Sequence, residues 1–339
     1  MVDLIRIRNV YPFSADDRAM LAALDPRLEW VHEGEDGPDW ADALVDAEVQ
    51  VISGSYAPAS RAGTPRLRWL STSGAGLDEL IARDPWSQGI EVTNGSGLHA
   101  VHMAEFLVGG VLFASERIVA RQANQAAQGW VEGRMELAGR RLRGRHAVIV
   151  GYGSIGRETA RLLDAFGVRI TAVKNDPGRR TDAGWREPGT GDPDGAIPGC
   201  WAGPAELADV VRDAQYVLLT APATPRTRGM VSREVLGAMR PDAWLLNVGR
   251  GALVDQEALV DALEGGRLGG AYLDVTSPEP LPAGHPLWTA RGAFVAPHVS
   301  GMGDLTELWH QTALLLAEQL RRDLAGSPKL NITSGAAGY

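Results

Sequence analysis

Val148-Ile149-Val150-Gly151-Tyr152-Gly153-Ser154-Ile155-Gly156-Arg157 is an apolar run, a G-x-G-x-x-G turn and the opening of a helix. Gly151 permits the tight turn, Gly153 lets the backbone approach a pyrophosphate, and Gly156 allows close helix–strand packing. The helix start then offers unpaired N–H groups and the positive end of its dipole to the phosphates. A glycine turn of purely structural meaning is the bland alternative. The strand before it and the helix after it favour a dinucleotide, with Ser154, Ile155 and Arg157 as further candidate contacts.

The next apolar strand ends at Lys174, which lies 174 − 156 = 18 positions beyond the third glycine and precedes Asn175. A site for NAD usually carries Asp or Glu about 20 residues on, to bind the ribose 2′-hydroxyl. A lysine suits a 2′-phosphate instead, with Asn175 beside it and Arg179 and Arg180 close by. The expected cofactor is therefore NADP(H), with NAD(H) as the alternative. On that alternative Asp176 takes the acidic role two residues late, and the basic cluster merely solvates the loop.

Working outward, βα alternation runs through the chain. Residues 49–53, 67–71 and 90–93 read as strands, with helix-like stretches at 16–24 and 77–83. Residues 99–128 carry Val101, Ala104, Leu107, Val108, Val111 and Leu112 at helical spacing, a long helix interrupted near Ala114 and Ser115. Strand-like runs follow at 147–150, 168–173, 216–220, 243–247, 269–274 and 294–296. The Gly- and Pro-rich residues 176–204 predict a long surface loop with at most one short strand, and Cys200 falls in it. Residues 305–324 form an amphipathic helix with Leu308, Thr312, Leu315, Leu316 and Leu320 on one face, and the tail from Ser334 is expected to be loose. Strands alternating with helices predict an α/β fold with parallel sheets covered on both faces.

Three ionisable groups stand at predicted strand ends, where open α/β sheets bind ligands. Arg250 lies in Asn247-Val248-Gly249-Arg250-Gly251, Glu279 in the proline-stiffened loop after Asp274, and His298 in Ala296-Pro297-His298-Val299-Ser300-Gly301. Reduction of a 2-keto acid needs a cation for the carboxylate and carbonyl, a proton donor for the developing alkoxide, and a carboxylate that keeps the donor protonated. A guanidinium binds planar oxyanions bidentately, which suits Arg250. An imidazole titrates near neutrality, which suits His298, with Glu279 orienting it and favouring its charged form. Each has a bland reading: Arg250 as a helix C-cap, Glu279 as a solvated loop charge, His298 as a satisfied buried histidine. Together, around a dinucleotide turn, they favour catalysis.

With these residues in place, the chain resembles the D-isomer-specific 2-hydroxyacid dehydrogenase family over nearly its full length, in its glyoxylate/hydroxypyruvate reductase form. The spacing of 279 − 250 = 29 and 298 − 250 = 48 residues is similar to that family's Arg/Glu/His triad. The resemblance implies that Asp274 contacts the nicotinamide carboxamide. It also implies that Ala221, Pro222 and Thr227, in a Pro-Ala-Thr-Pro-x-Thr segment, face the cofactor with Val248, Gly249, His298 and Gly301. The amides of Gly74, Ala75 and Gly76, together with Arg250, would hold the substrate carboxylate. Met103-Ala104-Glu105 falls where the inter-domain helix begins. The implied fold inserts a Rossmann dinucleotide-binding domain, 101–299, into a flavodoxin-like substrate domain, 1–100 and 300–339, with a cleft between them and homodimers formed through the inserted domain.

Departures from the family pattern are Lys174 at the common acidic position, Gln215 where aspartate is usual, and a longer 176–204 loop expected to bend over the adenosine end. Glu279 argues against the formate dehydrogenase branch, and the regulatory domain of longer phosphoglycerate dehydrogenases is not expected. Rivals on the same scaffold are a phosphite dehydrogenase and a nucleotide-responsive, corepressor-like binding protein. Trp288 and Trp309 are candidates for pocket lining or for packing. His99 and His102 read as hinge or cap residues rather than metal ligands, and no metal site is expected.

The 339 residues, 45% hydrophobic and 22% charged, suit two ordinary globular domains. A net charge of −9 argues against nucleic acid or an anionic membrane as partner. One cysteine excludes an internal disulfide, no basic-apolar leader opens the chain, and no apolar run is long enough to span a bilayer. A cytoplasmic enzyme acting on a small 2-keto or 2-hydroxy acid is the expectation.

Overall fold

The computed structural model describes residues 4–32, 48–54, 61–130 and 134–335; the opening tripeptide and the tail beyond 335, on which the leader and loose-tail readings partly rest, lie outside the described residues. The chain divides into two compact units, one of Met1–His99, Ala183–Pro188 and Gly303–Tyr339, the other of Ala100–Asp182 and Gly189–Met302. Both are α/β.

The first unit contains β1 (Ile5–Asn9), α1 (Ala15–Ala22), β2 (Leu28–His32), β3 (Val49–Ser53), β4 (Trp69–Ser71), α2 (Asp78–Ile81) and β5 (Glu91–Thr93). Its five strands are parallel in the order β2-β1-β3-β4-β5, the flavodoxin-like arrangement. Alternating side chains divide between two cores. Ile7, Val51 and Trp69 face one side with Leu21 of α1, and Val49, Ile52, Leu70 and Val92 face the other. The stretch 77–83 supplies only the four residues of α2, because Asp84 turns out of helical geometry at φ 40°.

The C-terminal helix, Leu305–Leu324, belongs to this unit and covers the first core through Ala313, Leu316, Ala317 and Leu320. Thr312, Leu315, Leu316 and Leu320 are buried as the pattern requires, and so is Gln319, at 0% exposure. Gln319 lies in a polar relay. The Ser71 and Thr93 hydroxyls donate to its carbonyl at 3.2 and 2.9 Å, and Trp69 Nε1 donates to Thr93 at 2.9 Å. Beyond the helix, Thr93 bridges to Ile332 and Thr333 donates to Val92 at 2.9 Å, so the chain is pinned up to Thr333.

The second unit opens with α3 (Ala100–Ser115) and α4 (Ile118–Ala126), divided at Arg117, whose left-handed backbone (φ 53°) ends the first helix. Then come β6 (His146–Val150), α5 (Ser154–Ala165), β7 (Arg169–Val173), β8 (Cys200–Ala202), α6 (Leu207–Val210) and β9 (Tyr216–Leu219). The unit closes with α7 (Arg233–Ala238), β10 (Trp244–Asn247), α8 (Gln256–Glu264), β11 (Gly270–Leu273) and β12 (Ala293–Val295). The preceding C-terminal helix is α9 in chain order. All seven strands are parallel in the order β12-β11-β10-β9-β6-β7-β8, the Rossmann arrangement with the reversal at β6. Val148, Val150, Val217, Leu219 and Leu245 face one core with α7 and α8; Ala147, Ile149, Ile170, Leu218 and Leu246 face the other with α3 and α5. Strands buried on both faces explain why they read as unbroken apolar runs.

The segment 176–204 holds one short strand, the edge strand β8, in which Cys200 pairs with Thr171 of β7. Within 176–204, the piece 183–188 groups with the first unit. The Trp185 amide donates to Asn331 Oδ1 at 3.3 Å, and the Trp185 carbonyl presses on Gly97 so closely that a Cβ there would stand 2.2 Å away.

Asp323 ties α9 to its surroundings, accepting from Arg68 Nη1 and Nη2 at 2.8 and 2.6 Å and from Lys329 Nζ at 2.8 Å. Burial opposes its charge, but the bonds to Arg68 and Lys329 outweigh it and hold the carboxyl below its usual value. A depressed folded value stabilises above the unfolded value, and that contribution is lost as pH falls through the folded one. Asp323→Asn should therefore cost about 1–3 kcal/mol at neutral pH, after allowance for the part-exposed Arg68. In urea unfolding followed by tryptophan fluorescence, the deficit should shrink as pH drops below 3.8.

Candidate active site

Because the strands of the second unit are parallel, every C-terminal end lies on one edge. Gly151, Lys174, Ala221, Val248, Asp274 and Ala296 each stand just beyond a strand on that edge. Glycines let the neighbouring loops meet backbone to backbone. A Cβ on Gly151 would lie 2.6 Å from Ala221 N, one on Gly249 2.6 Å from Ala221 O, and one on Gly251 1.9 Å from Thr276 O. Thr220 Oγ1 donates to Gly151 O at 2.5 Å, and Asp274 N to Asn247 O at 2.9 Å. The loops from β6 to β11 thus form one connected rim.

The glycine turn separates its three roles. Gly151 has φ 95°, a region closed to ordinary side chains. Gly156 is packed, since a Cβ would meet Gly151 O at 2.4 Å. Gly153, the helix N-cap, has nothing within 4 Å of its Cβ position. Protein packing therefore does not explain the middle glycine, whereas a pyrophosphate lying against that backbone does. The residues present fit a dinucleotide.

At the end of β7, Lys174 is half-buried and donates to Arg179 O at 2.8 Å. Burial, then the Arg157 and Arg179 charges, lower its ammonium pKa. Asp176 Oδ1 accepts the Gly178 and Arg179 amides at 3.0 and 3.3 Å, so the carboxylate shapes the turn after Asn175. The long loop is packed on α5. Arg157, expected among the cofactor contacts, is only 2% exposed and donates to the carbonyls of Asp192 and Arg180. Its side chain is directed into the loop because that is where carbonyl acceptors stand.

The three ionisable groups come from adjacent strands β10, β11 and β12. His298 Nδ1 and Glu279 Oε1 share a short hydrogen bond, with the side chains 48% and 38% exposed, open enough to exchange a proton with a ligand. His298 has φ 55°, strained for a non-glycine residue. Asp274 enforces it. The Asp274 carbonyl accepts His298 N at 2.9 Å, and its carboxylate oxygens accept Val299 N and Ser300 N at 2.7 and 3.0 Å. Asp274 is 1% exposed, and its hydrogen bonds hold the His298 turn. Arg250 is half-buried, with Nη1 donating to Gly249 O at 2.8 Å, while Asn247 Nδ2 braces its carbonyl at 3.0 Å.

The Glu279 loop has supports that sequence reading missed. Gln256 Oε1 accepts the Ser277 amide at 2.9 Å, and Trp288 Nε1 donates to Pro282 O at 2.9 Å. Only hydrogen-bond partners 21 and 6 residues away could reveal them. Trp309 packs in the first unit, stacked on Tyr11 at 5.2 Å between centroids. Thr227, buried, closes its turn by donating to Pro222 O at 2.7 Å. In the first unit, Gly74 N donates to Thr72 Oγ1 at 3.2 Å, while Ala75 and Gly76 are exposed beyond β4.

Comparison with known proteins agrees with this geometry. The profile of the D-isomer specific 2-hydroxyacid dehydrogenase NAD-binding domain matches residues 108–300. A glyoxylate reductase of Thermofilum pendens is 31% identical over 278 residues, 80% of this chain and 78% of the relative. A D-isomer specific 2-hydroxyacid dehydrogenase from Xanthobacter autotrophicus, solved with NADPH and MES, superposes at TM-score 0.75 with 26% identity, covering 99% of this chain and 100% of its own. An NADPH-dependent glyoxylate/hydroxypyruvate reductase from Sinorhizobium meliloti, solved with NADP and malonate, gives TM-score 0.67 and 27% identity over 98% and 97% of the two chains.

The glycine roles are separable by substitution. Gly153→Ala should leave the melting temperature nearly unchanged but weaken dinucleotide binding about tenfold or more, since the methyl fills the phosphate approach. Gly156→Ala should lower thermal stability by about 1–3 kcal/mol through overpacking. Calorimetric melting and NADPH titration distinguish the two outcomes.

Proposed function

The chain belongs to the D-isomer specific 2-hydroxyacid dehydrogenase family, NAD(P)-dependent oxidoreductases, and from that premise we propose that it reduces a small 2-keto acid to the D-2-hydroxy acid in preference with NADPH. The observation that carries this reading is the Glu279–His298 pair, held on the same strand-end edge as the glycine turn.

Arg250 supplies the fixed cation, engaging the substrate carboxylate and polarising its carbonyl. His298, its Nδ1 held by Glu279, delivers a proton to the oxygen as it becomes an alkoxide. Asp274 keeps the ring aimed by fixing the turn on either side of it. When bound, the reduced nicotinamide supplies the hydride for the substrate carbon. Gly151, Gly153 and Gly156 with the start of α5 suit the pyrophosphate, and Lys174, Asn175 and Arg179 suit the 2′-phosphate. The use of Asp176 within its own turn and the NADP(H)-bound neighbours support the phosphorylated cofactor. Ala75 and Gly76 amides are proposed for the substrate carboxylate, and a cytoplasmic homodimer is the proposed form. Among the described residues no helix is long and apolar enough to cross a membrane.

The test is loss of absorbance from NADPH, and separately NADH, against glyoxylate, hydroxypyruvate and phenylpyruvate. Rapid NADPH oxidation by one of them is expected. His298→Asn should lower kcat by about a hundredfold to ten-thousandfold while NADPH affinity is retained. Near-normal turnover by that variant would remove His298 from the proton-donor role.

A further inference from the structure

Arg157 and Glu158, the fourth and fifth residues of α5, are 2% and 1% exposed, an unusual depth for charges. Both grip the loop that follows β7. That loop has two arms in the second unit, 176–182 and 189–199. Arg157 Nη2 donates to Arg180 O of the first arm at 2.6 Å, and Nη1 to Asp192 O of the second. Its guanidinium thus cross-braces the arms while lying 5.0 Å from the centre of the Tyr152 ring. Glu158 Oε2 accepts Gly191 N at 2.6 Å and also pairs with Arg161. Asp192, 6% exposed, closes the second arm by accepting Ala196 N at 2.9 Å and Ile197 N at 3.2 Å. It also accepts Tyr152 OH at 2.8 Å, directly from the glycine turn. The arms meet at Asp182 N to Pro193 O, 2.8 Å.

What this clamp positions is the first arm, the one carrying the cations at the end of β7. Lys174 Nζ donates to the Arg179 carbonyl, one residue from the carbonyl that Arg157 holds. Arg180 is drawn off over the Trp201 ring, 5.6 Å from its centroid, which separates its role from that of Arg179. Among the described residues Arg157 donates to carbonyl oxygens and pairs with no carboxylate. Lys174 feels that charge: burial, then Arg157 and Arg179, make its ammonium easier to deprotonate. A local excess of positive charge of this kind is relieved by a bound anion.

We propose that Arg157 and Asp192 are positioning residues for cofactor choice, bracing the loop so that Lys174 and Arg179 are presented to a 2′-phosphate. This rests on the NADP(H) reading above and extends it from the residues that touch the phosphate to those that hold them in place. Without the brace the arm keeps its cations but loses their fixed placement, so selectivity falls while binding of the rest of the adenosine moiety persists.

The test uses adenosine 2′,5′-bisphosphate and adenosine 5′-monophosphate as probes, titrated calorimetrically against the whole chain. Wild type should prefer the bisphosphate by about tenfold or more, as charge-assisted bonds require. Asp192→Ala and Arg157→Met should lose most of that preference while affinity for the monophosphate changes by less than about twofold. Arg157→Lys, which keeps the charge and reaches one carbonyl, should restore part of it. Tyr152→Phe removes one hydroxyl from the clamp without a steric change and should give a smaller loss in the same direction, providing a variant that folds if the others do not. Trypsin cleavage after Arg180 should accelerate in the variants that lose the brace and be slowed by the bisphosphate in wild type. Wild-type preference that all these variants keep would overturn the clamp and leave the cofactor reading standing. Equal wild-type affinity for both probes would overturn the cofactor reading itself, and the clamp proposal with it.

Discussion

Parallel strands in one sheet must finish on one edge, and in the second unit that edge is joined by backbone contact between successive loops. Gly151 against Ala221, Gly249 against Ala221 and Gly251 against Thr276 leave no space for a side chain. Those contacts place the helix start proposed for the phosphates and the loops bearing Arg250 and Glu279 in one connected rim. Asp274 extends it to the last strand, because its carbonyl and both carboxylate oxygens hold the three residues beginning at His298. Preorganisation of this sort lets a site meet developing charge without first rearranging.

Charges in this unit are treated in three ways, each matched to its task. The Glu279 and His298 side chains remain partly exposed, as their proposed exchange of a proton requires. Asp274 is buried and saturated by amides, so it serves geometry. Arg157 is buried against carbonyls, and it organises a loop whose own cations stay near the surface. The strained backbone at His298 belongs to the same logic: an unfavourable conformation persists only where its surroundings over-determine it. Three hydrogen bonds to one aspartate do so here.

The first unit shows how a helix far along the chain is built into a sheet from its beginning. α9 contributes Ala313, Leu316, Ala317 and Leu320 to the core of β1, β3 and β4, and Gln319 adds a buried polar relay to Ser71 and Thr93. Apolar burial supplies the attraction, and the relay fixes the register, since a slip would leave buried donors unpaired. Asp323, shared by Arg68 and Lys329, closes the same helix end.

The sequence by itself determined the features that repeat locally: apolar runs of strands buried on both faces, the period of α9, the G-x-G-x-x-G turn, and the placement of Arg250, Glu279 and His298 after strands. Each is decided by neighbours a few residues apart, so each is visible in the linear pattern. Tertiary structure alone decided which groups meet. Nothing local shows that Asp274 turns to the amides after His298, that Asp176 serves its own turn, or that Arg157 meets a carbonyl 35 residues away. A side chain's partner is set by where another stretch of backbone returns, and that return is fixed by packing of the whole sheet edge, not by the residues on either side of it.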